Sequence, residues 1–283
     1  MRLRHVPLTP PTVLTDAADP RADGYRALRA RESGEVLWAE GPTVVERLLS
    51  SSLTTRSVLL TPALHDRLRP ALERHAAEHP EAVVEVLLAE RAVIQEIVGF
   101  DLHRGAMAIA TRPTLRSVAE ALAGARLVVA IEGVNDPENL GAIARSARGL
   151  GADALLLDPT CADPYYRRSV RVSMGELLHL PVARAGDWDA VLAELPGRGF
   201  DVWALTPAAS AEPLAALPTP ERLVVLVGAE GPGLRPETLA RFRNVRIPMH
   251  HGVDSLNVWH AVAAALALVG AGNRPVTGSV EHA

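Results

Sequence analysis

The chain has one cysteine and no lysine among its 283 residues. A lone cysteine, Cys161, excludes a disulfide within the chain and a thiolate cage around zinc. With lysine missing, all 29 basic residues are arginine, so every fixed positive charge is a planar fork suited to gripping phosphate with two hydrogen bonds. Aromatic residues make up only 4%, which leaves the core to leucine, valine, alanine and isoleucine. There is no basic excess: the net charge is −4, with 14 arginines against 15 acids through Arg112 and 15 against 18 beyond it. Neither part binds polyanions by total charge. Any such contact needs local clusters: Arg145 with Arg148, Arg167 with Arg168 and Arg171, or Arg241 with Arg243 and Arg246. The most apolar stretch, 258–270, is too short to span a bilayer and carries His260. The first twenty residues hold no apolar run of the secretory kind, so a cytoplasmic protein without a membrane partner is expected.

What is present describes a globular chain, 48% hydrophobic and 22% charged, long enough for two domains. The first twenty residues, rich in Pro, Thr and Asp, are expected to run along the surface, followed by a short helix over 20–31 with Tyr25 and Leu28 on one face. Strand-like segments at 36–39, 57–60, 83–88 and 106–110 then alternate with helical ones at 41–49, 62–75 and 90–98, the pattern of a small α/β layer domain. Thr111-Arg112-Pro113-Thr114 breaks that pattern, placing a first domain at 1–112, a linker helix within 113–124 and a second domain at 125–283. In the second, apolar runs at 127–131, 154–157, 202–205 and 223–227 suit strands buried on both faces of a parallel sheet. Helices are expected between them at 140–150, 188–195 and 236–242, and a long apolar helix over 256–271 closes the chain.

Three segments combine turn residues with polar side chains. In 131–152, IEGVNDPENLGAIARSARGLGA, a strand ends at Ile131 and Asn139 falls where a helix N-cap belongs. Arg145 follows within two turns, so both side chains can border the open end of the sheet; a capping asparagine and a solvated arginine fit the same residues. In 223–234, LVVLVGAEGPGL, a buried strand runs directly into Gly228, Gly231 and Gly233, with Glu230 between the first two. Glycine lets backbone approach a ligand, and ligands in open α/β sheets bind beyond the carboxyl ends of strands, although a tight strand-to-helix turn uses the same residues. No Gly-Lys-Ser/Thr follows and the glycine spacing is wrong for a dinucleotide, which excludes both phosphate-loop classes. In 245–265, VRIPMHHGVDSLNVWHAVAAA, Ser255 is the expected N-cap of the last helix and Asn257, a mediocre helix former, falls inside its first turn. His250-His251 invites a metal, but without a cysteine or a spaced carboxylate no metal is expected.

In this order and spacing the segments resemble the SpoU family of the SPOUT superfamily: NLGAIARSA, GAEGPGL, then IPM followed by SLN and an alanine-rich helix. The resemblance spans about 125–270. More loosely, Glu40-Gly41-Pro42, Val44-Val45 and Gly105 resemble the small RNA-binding domain that precedes it in many members. The resemblance implies an α/β fold, with a C-terminal SPOUT-type parallel-sheet domain containing a deep trefoil knot. It implies S-adenosylmethionine-dependent methylation of a ribose 2′-hydroxyl in structured RNA, 23S ribosomal RNA ahead of transfer RNA. Carried onto matching positions, Arg145, Asn139, Glu230, Ser255 and Asn257 are the catalytic set, while Thr206, Gly228, Gly231, Ile247, Met249 and Leu256 line the cofactor site. RNA contacts are expected from Arg145, Arg167, Arg168 and Arg171. A homodimer is implied through the last helix, with an arginine of one subunit reaching toward the other's cofactor. Two alternatives are a SPOUT base methyltransferase acting on transfer RNA and a non-catalytic RNA-binding or ribosome-assembly protein. The first usually uses different catalytic residues, and the second would be expected to have lost Arg145 or Asn257.

Overall fold

Strand formation in the first half follows from β-branched and leucine-rich runs separated by Gly, Pro and Thr. The computed structural model describes residues 10–26, 34–100, 102 and 105–270. The chain divides into two compact units, Met1–Thr114 with Asp163–His179, and Leu115–Ala162 with Leu180–Ala283. In the first, β1 (Thr12–Leu14), β2 (Val36–Glu40), β3 (Thr55–Leu60), β4 (Glu85–Ala89) and β5 (Ala106–Thr111) form a sheet of order β1-β4-β3-β5-β2. β1, β4 and β3 run parallel, whereas β5 is antiparallel to both β3 and β2. Four helices accompany these strands: α1 (Asp23–Arg26), α2 (Pro42–Leu49), α3 (Pro62–Glu78) and α4 (Arg91–Val98). Leu14, Tyr25, Trp38, Leu59, Leu87, Ile94 and Met107 pack into one core of this unit. The buried Tyr25 hydroxyl lies 2.8 Å from Ser57 Oγ, and its pKa is raised by burial.

Two expectations change here. Part of the first twenty residues is not surface chain but the edge strand β1, with Leu14 buried; three residues are too few to show alternation. The first helix begins as a turn at Pro20–Ala22 capped by Asp19 and continues as α1, while 27–31, with Leu28, lie outside the described residues.

The second unit begins with α5 (Val118–Leu122), set by a reciprocal capping box between Ser117 and Glu120. β6 (Leu127–Glu132), α6 (Pro137–Gly149) and β7 (Ala154–Leu157) follow. The chain then passes through 163–179, which holds α7 (Arg167–Val172) and groups with the first unit. It returns as β8 (Val182–Arg184), α8 (Trp188–Glu194), β9 (Asp201–Leu205), β10 (Glu212–Pro213), β11 (Leu223–Gly228), α9 (Pro236–Arg241), β12 (Arg243–Arg246) and α10 (Val258–Gly270). All pairings are parallel, in the order β10-β12-β9-β11-β6-β7-β8. β6 is buried along its whole length and β11 up to its final Gly228, which accounts for their uninterrupted apolar runs. On one face Leu122, Leu156, Trp188, Leu192, Leu226 and Leu234 share a core; α10 packs against α6 and β11. Among the described residues no helix is long and apolar enough to cross a membrane.

Two predicted caps are corrected. The N-cap of α6 is Asp136, whose Oδ1 accepts from Glu138 N at 2.8 Å, with Pro137 as the first helical residue; Asn139 lies buried in the first turn instead. Proline fixes the helix start, and aspartate caps as well as asparagine does. At α10 the cap is Asn257, whose Oδ1 accepts from Trp259 N at 3.1 Å, leaving Ser255 two residues outside the helix. The expected last residue of that helix, Ala271, lies outside the described residues.

Cys161 is buried, its Sγ 3.3 Å from the Ile131 carbonyl, and burial followed by the nearby Asp158 pushes its pKa up to about 12. At pH 8 only about one folded molecule in ten thousand then carries the reactive thiolate. Alkylation at that pH should therefore be slow in the native chain and fast in denaturant. Rapid native labelling would contradict the burial.

Candidate functional site

Because the strands are parallel, β9, β11 and β12 deliver their carboxyl ends to the same edge of the sheet, where open α/β folds take ligands. A cavity of about 380 Å³ opens there, within the usual range for small-molecule sites. Leu205 ends β9 and Thr206 follows it, Gly228 ends β11, and the turn after it contributes Glu230 and Gly231. Ile247 and Met249 come from the segment after β12, while Ser255, Leu256 and Asn257 lead into α10. Gly228 has no room for a side chain: a Cβ would lie 2.1 Å from Gly233 C and 2.2 Å from Leu234 N. Beyond it the chain doubles back, with Gly233 N donating to Ala229 O at 3.0 Å.

One carboxylate ties the three polar segments together. Glu230 accepts Asn139 Nδ2 on Oε2 and Asn257 Nδ2 on Oε1, each at 3.0 Å. Both donors are neutral amides, and among the described residues no arginine pairs with Glu230. The wall of the cavity thus carries a negative charge held in place without being neutralised, an arrangement complementary to a cation.

All six residues expected to line a cofactor site do line this cavity, as do Glu230, Ser255 and Asn257; Asn139 joins them through its hydrogen bond. Arg145 does not. It stands exposed on α6, off the cavity lining, and its side chain makes no hydrogen bond or ion pair among the described residues. Arg167, Arg168 and Arg171 lie on α7, in the first unit. There Arg167 is paired with Glu40 and rests 5.2 Å above the Phe100 ring, and Arg171 Nε is 3.9 Å from the same Glu40. His250 and His251 are exposed with ring centroids 6.3 Å apart, and no group of three potential metal ligands occurs among the described residues.

Sequence reading missed the apolar members of the lining, Leu205, Pro207, Val227, Ala229, Val258 and Ala261, because next to strand and helix ends they look like core. Their adjacency to Thr206 and Asn257 was the available signal. It also missed Asp158, a buried side chain after β7 that accepts from Gly133 N at 3.0 Å and from Cys161 N at 2.9 Å, bracing the loop that leads to Asn139.

The SpoU rRNA Methylase family matches residues 126–268. An uncharacterized tRNA/rRNA methyltransferase of Mycobacterium bovis is 44% identical over 267 residues, covering 89% of this chain and 88% of that protein. The 23S rRNA (guanosine(2553)-2′-O)-methyltransferase RlmP of Bacillus subtilis is 35% identical over 148 residues, 52% of this chain and 58% of that one. Among solved structures, the AdoMet-bound rRNA methyltransferase of Sinorhizobium meliloti superimposes with a TM-score of 0.75 at 25% identity, covering 91% of this chain and 97% of that chain.

Proposed function

The chain belongs to the SpoU rRNA methylase family, and from that premise we propose that it methylates a ribose 2′-hydroxyl of 23S ribosomal RNA with S-adenosylmethionine as donor. The observation that carries this reading is the Glu230 cluster: one unneutralised carboxylate on the wall of a cavity with apolar sides, joined to asparagines from both other motifs. The residues present fit the cofactor. Gly228 lets the return limb of the turn close directly against the strand end, Ile247, Met249 and Leu256 offer apolar surface for a purine, and Glu230 would face the charge of a sulfonium. When bound, S-adenosylmethionine supplies a methyl group on a positively charged sulfur, already activated for in-line displacement.

What remains for the protein is to orient the ribose hydroxyl and favour its deprotonated form. Asn139 and Asn257 hold Glu230, and Ser255 stands beside them as a hydroxyl able to bind the incoming ribose. A guanidinium is a poor base, so the part of Arg145 is to stabilise the developing alkoxide or grip the adjacent phosphate. Its position off the cavity lining supports a role in a homodimer, completing the site of the partner subunit. The exposed apolar side chain of Leu268, at 45% accessibility, supports α10 as the shared surface. The reading includes the trefoil knot and a distinct RNA-binding role for the first unit. The return of the chain after β12 to bring Asn257 against Glu230 supports the knot.

Charge complementarity has a direct consequence. Glu230→Gln is expected to weaken S-adenosylmethionine binding about tenfold but binding of its demethylated product, which lacks the sulfonium charge, less than about threefold. Equal losses would remove the electrostatic role. The function itself is tested by mapping 2′-O-methylation across ribosomal and transfer RNA in cells with and without the gene. Loss of one mark in 23S ribosomal RNA is expected; a lost base methylation, or no change, would overturn the reading.

A further inference from the structure

A second acidic residue, Glu132, ends β6 directly opposite Gly228 of β11 in the sheet register. It is 3% exposed and does not line the cavity, so nothing in the reaction uses it directly. Four donors converge on it. Trp188 Nε1 and Thr238 Oγ1 each reach Oε2 at 2.8 Å, Arg235 N reaches Oε1 at 2.7 Å, and Arg235 Nε lies 3.3 Å from Oε2. Arg235 is held in turn by Asp189, Nη2 to Oδ1 at 2.8 Å. Burying a carboxylate is costly unless its lone pairs are filled, and here they are filled by α8, α9 and the backbone between them. An apolar residue would fill this space at less cost, which points to a purpose other than packing.

The glycine turn begins beside it, at Gly228. Its outgoing limb, through Gly228, is fixed by strand pairing with β6. Its return limb, Gly233 to Arg235, continues no strand and presses against Gly228 without covalent reason to stay there. Gly233 N to Ala229 O closes the turn on itself and Leu234 anchors it in the core without direction; the hydrogen bond from Arg235 N to Glu132 ties the limb directionally to β6. Glu230 lies at the tip between these limbs. We propose that Glu132 is a positioning residue, holding the return limb so that Glu230 meets Asn139 and Asn257 and the cavity keeps its open form. The inference rests on the function proposed above.

A loop competent only part of the time weakens apparent affinity by that fraction, with no contact to the ligand lost. Glu132→Gln places a donor where four donors converge, so at least one loses its acceptor. Measured on the full chain, this variant is expected to unfold cooperatively, to bind S-adenosylmethionine about tenfold more weakly, and to exchange the amide hydrogens of 228–235 faster than the unaltered chain. A variant with a lower Tm but unchanged affinity per folded molecule and unchanged exchange in 228–235 would overturn the proposal. Should Glu132→Gln fail to fold, Thr238→Val removes one donor and leaves the carboxylate in place. About threefold weaker binding with faster loop exchange is expected, and no change in either overturns the proposal. If the unaltered chain takes up no S-adenosylmethionine, the proposed function fails, while the exchange of 228–235 still decides the role of Glu132.

Discussion

Arg145→Ala is expected to lower methyl transfer about a hundred- to a thousandfold while S-adenosylmethionine affinity changes by less than about twofold. The expectation follows from where the side chain stands. Arg145 is exposed on α6, outside the cavity lining, and its side chain is without a partner among the described residues, so removing it takes nothing from the cavity proposed for the cofactor. An exposed, unpaired guanidinium contributes little to folding either, and the variant should melt like the unaltered protein. Its effect is confined to a step in which negative charge is present, on a phosphate or a developing alkoxide. The proposed dimer sharpens this. Subunits carrying Arg145→Ala, mixed with subunits whose cofactor site is destroyed, should recover activity, since one chain then supplies the arginine and the other the cofactor cavity. Parallel loss of affinity and turnover in Arg145→Ala, or no recovery on mixing, would contradict this account.

Gly228→Ala supplies the second large effect. A methyl group there would lie 2.1 Å from Gly233 C, 2.2 Å from Leu234 N and 2.4 Å from Gly233 O, all backbone atoms that no rotamer change can move aside. The return limb of the turn must shift, carrying Glu230 away from Asn139 and Asn257. Overpacking of this kind costs about 1–3 kcal/mol of stability. The cavity suffers more, because its polar wall is part of the displaced segment, and affinity for S-adenosylmethionine should fall at least about a hundredfold. Calorimetric titration beside thermal unfolding checks both numbers. A variant that binds normally would show that the turn is not part of the cofactor site.

The parallel strands were legible because burial on both faces leaves an uninterrupted apolar run, as in 127–131 and 223–227. The lining of the cavity was legible through resemblance: its glycines, the Ser255-Leu256-Asn257 turn and Thr206 match positions of a family, and the residues themselves allowed blander readings. The cap of α6 was legible in Pro137, which marks Asp136 as the residue before the helix, whereas at α10 Ser255 and Asn257 are both good capping residues and local preference does not choose between them. Short edge elements such as β1 and β10, three and two residues long, carry too little pattern to read. Long-range pairings were out of reach for another reason. That Arg167 turns to Glu40, or that Glu132 gathers donors from α8 and α9, depends on how the chain brings distant segments together, and no periodicity records it.

The most direct test of the central claim is a titration of the purified chain with S-adenosylmethionine. One molecule bound per chain, with a Kd of about 1–100 μM, is the result this structure calls for. Saturation at no attainable concentration would mean that the cavity under Glu230 is not a methyl-donor site.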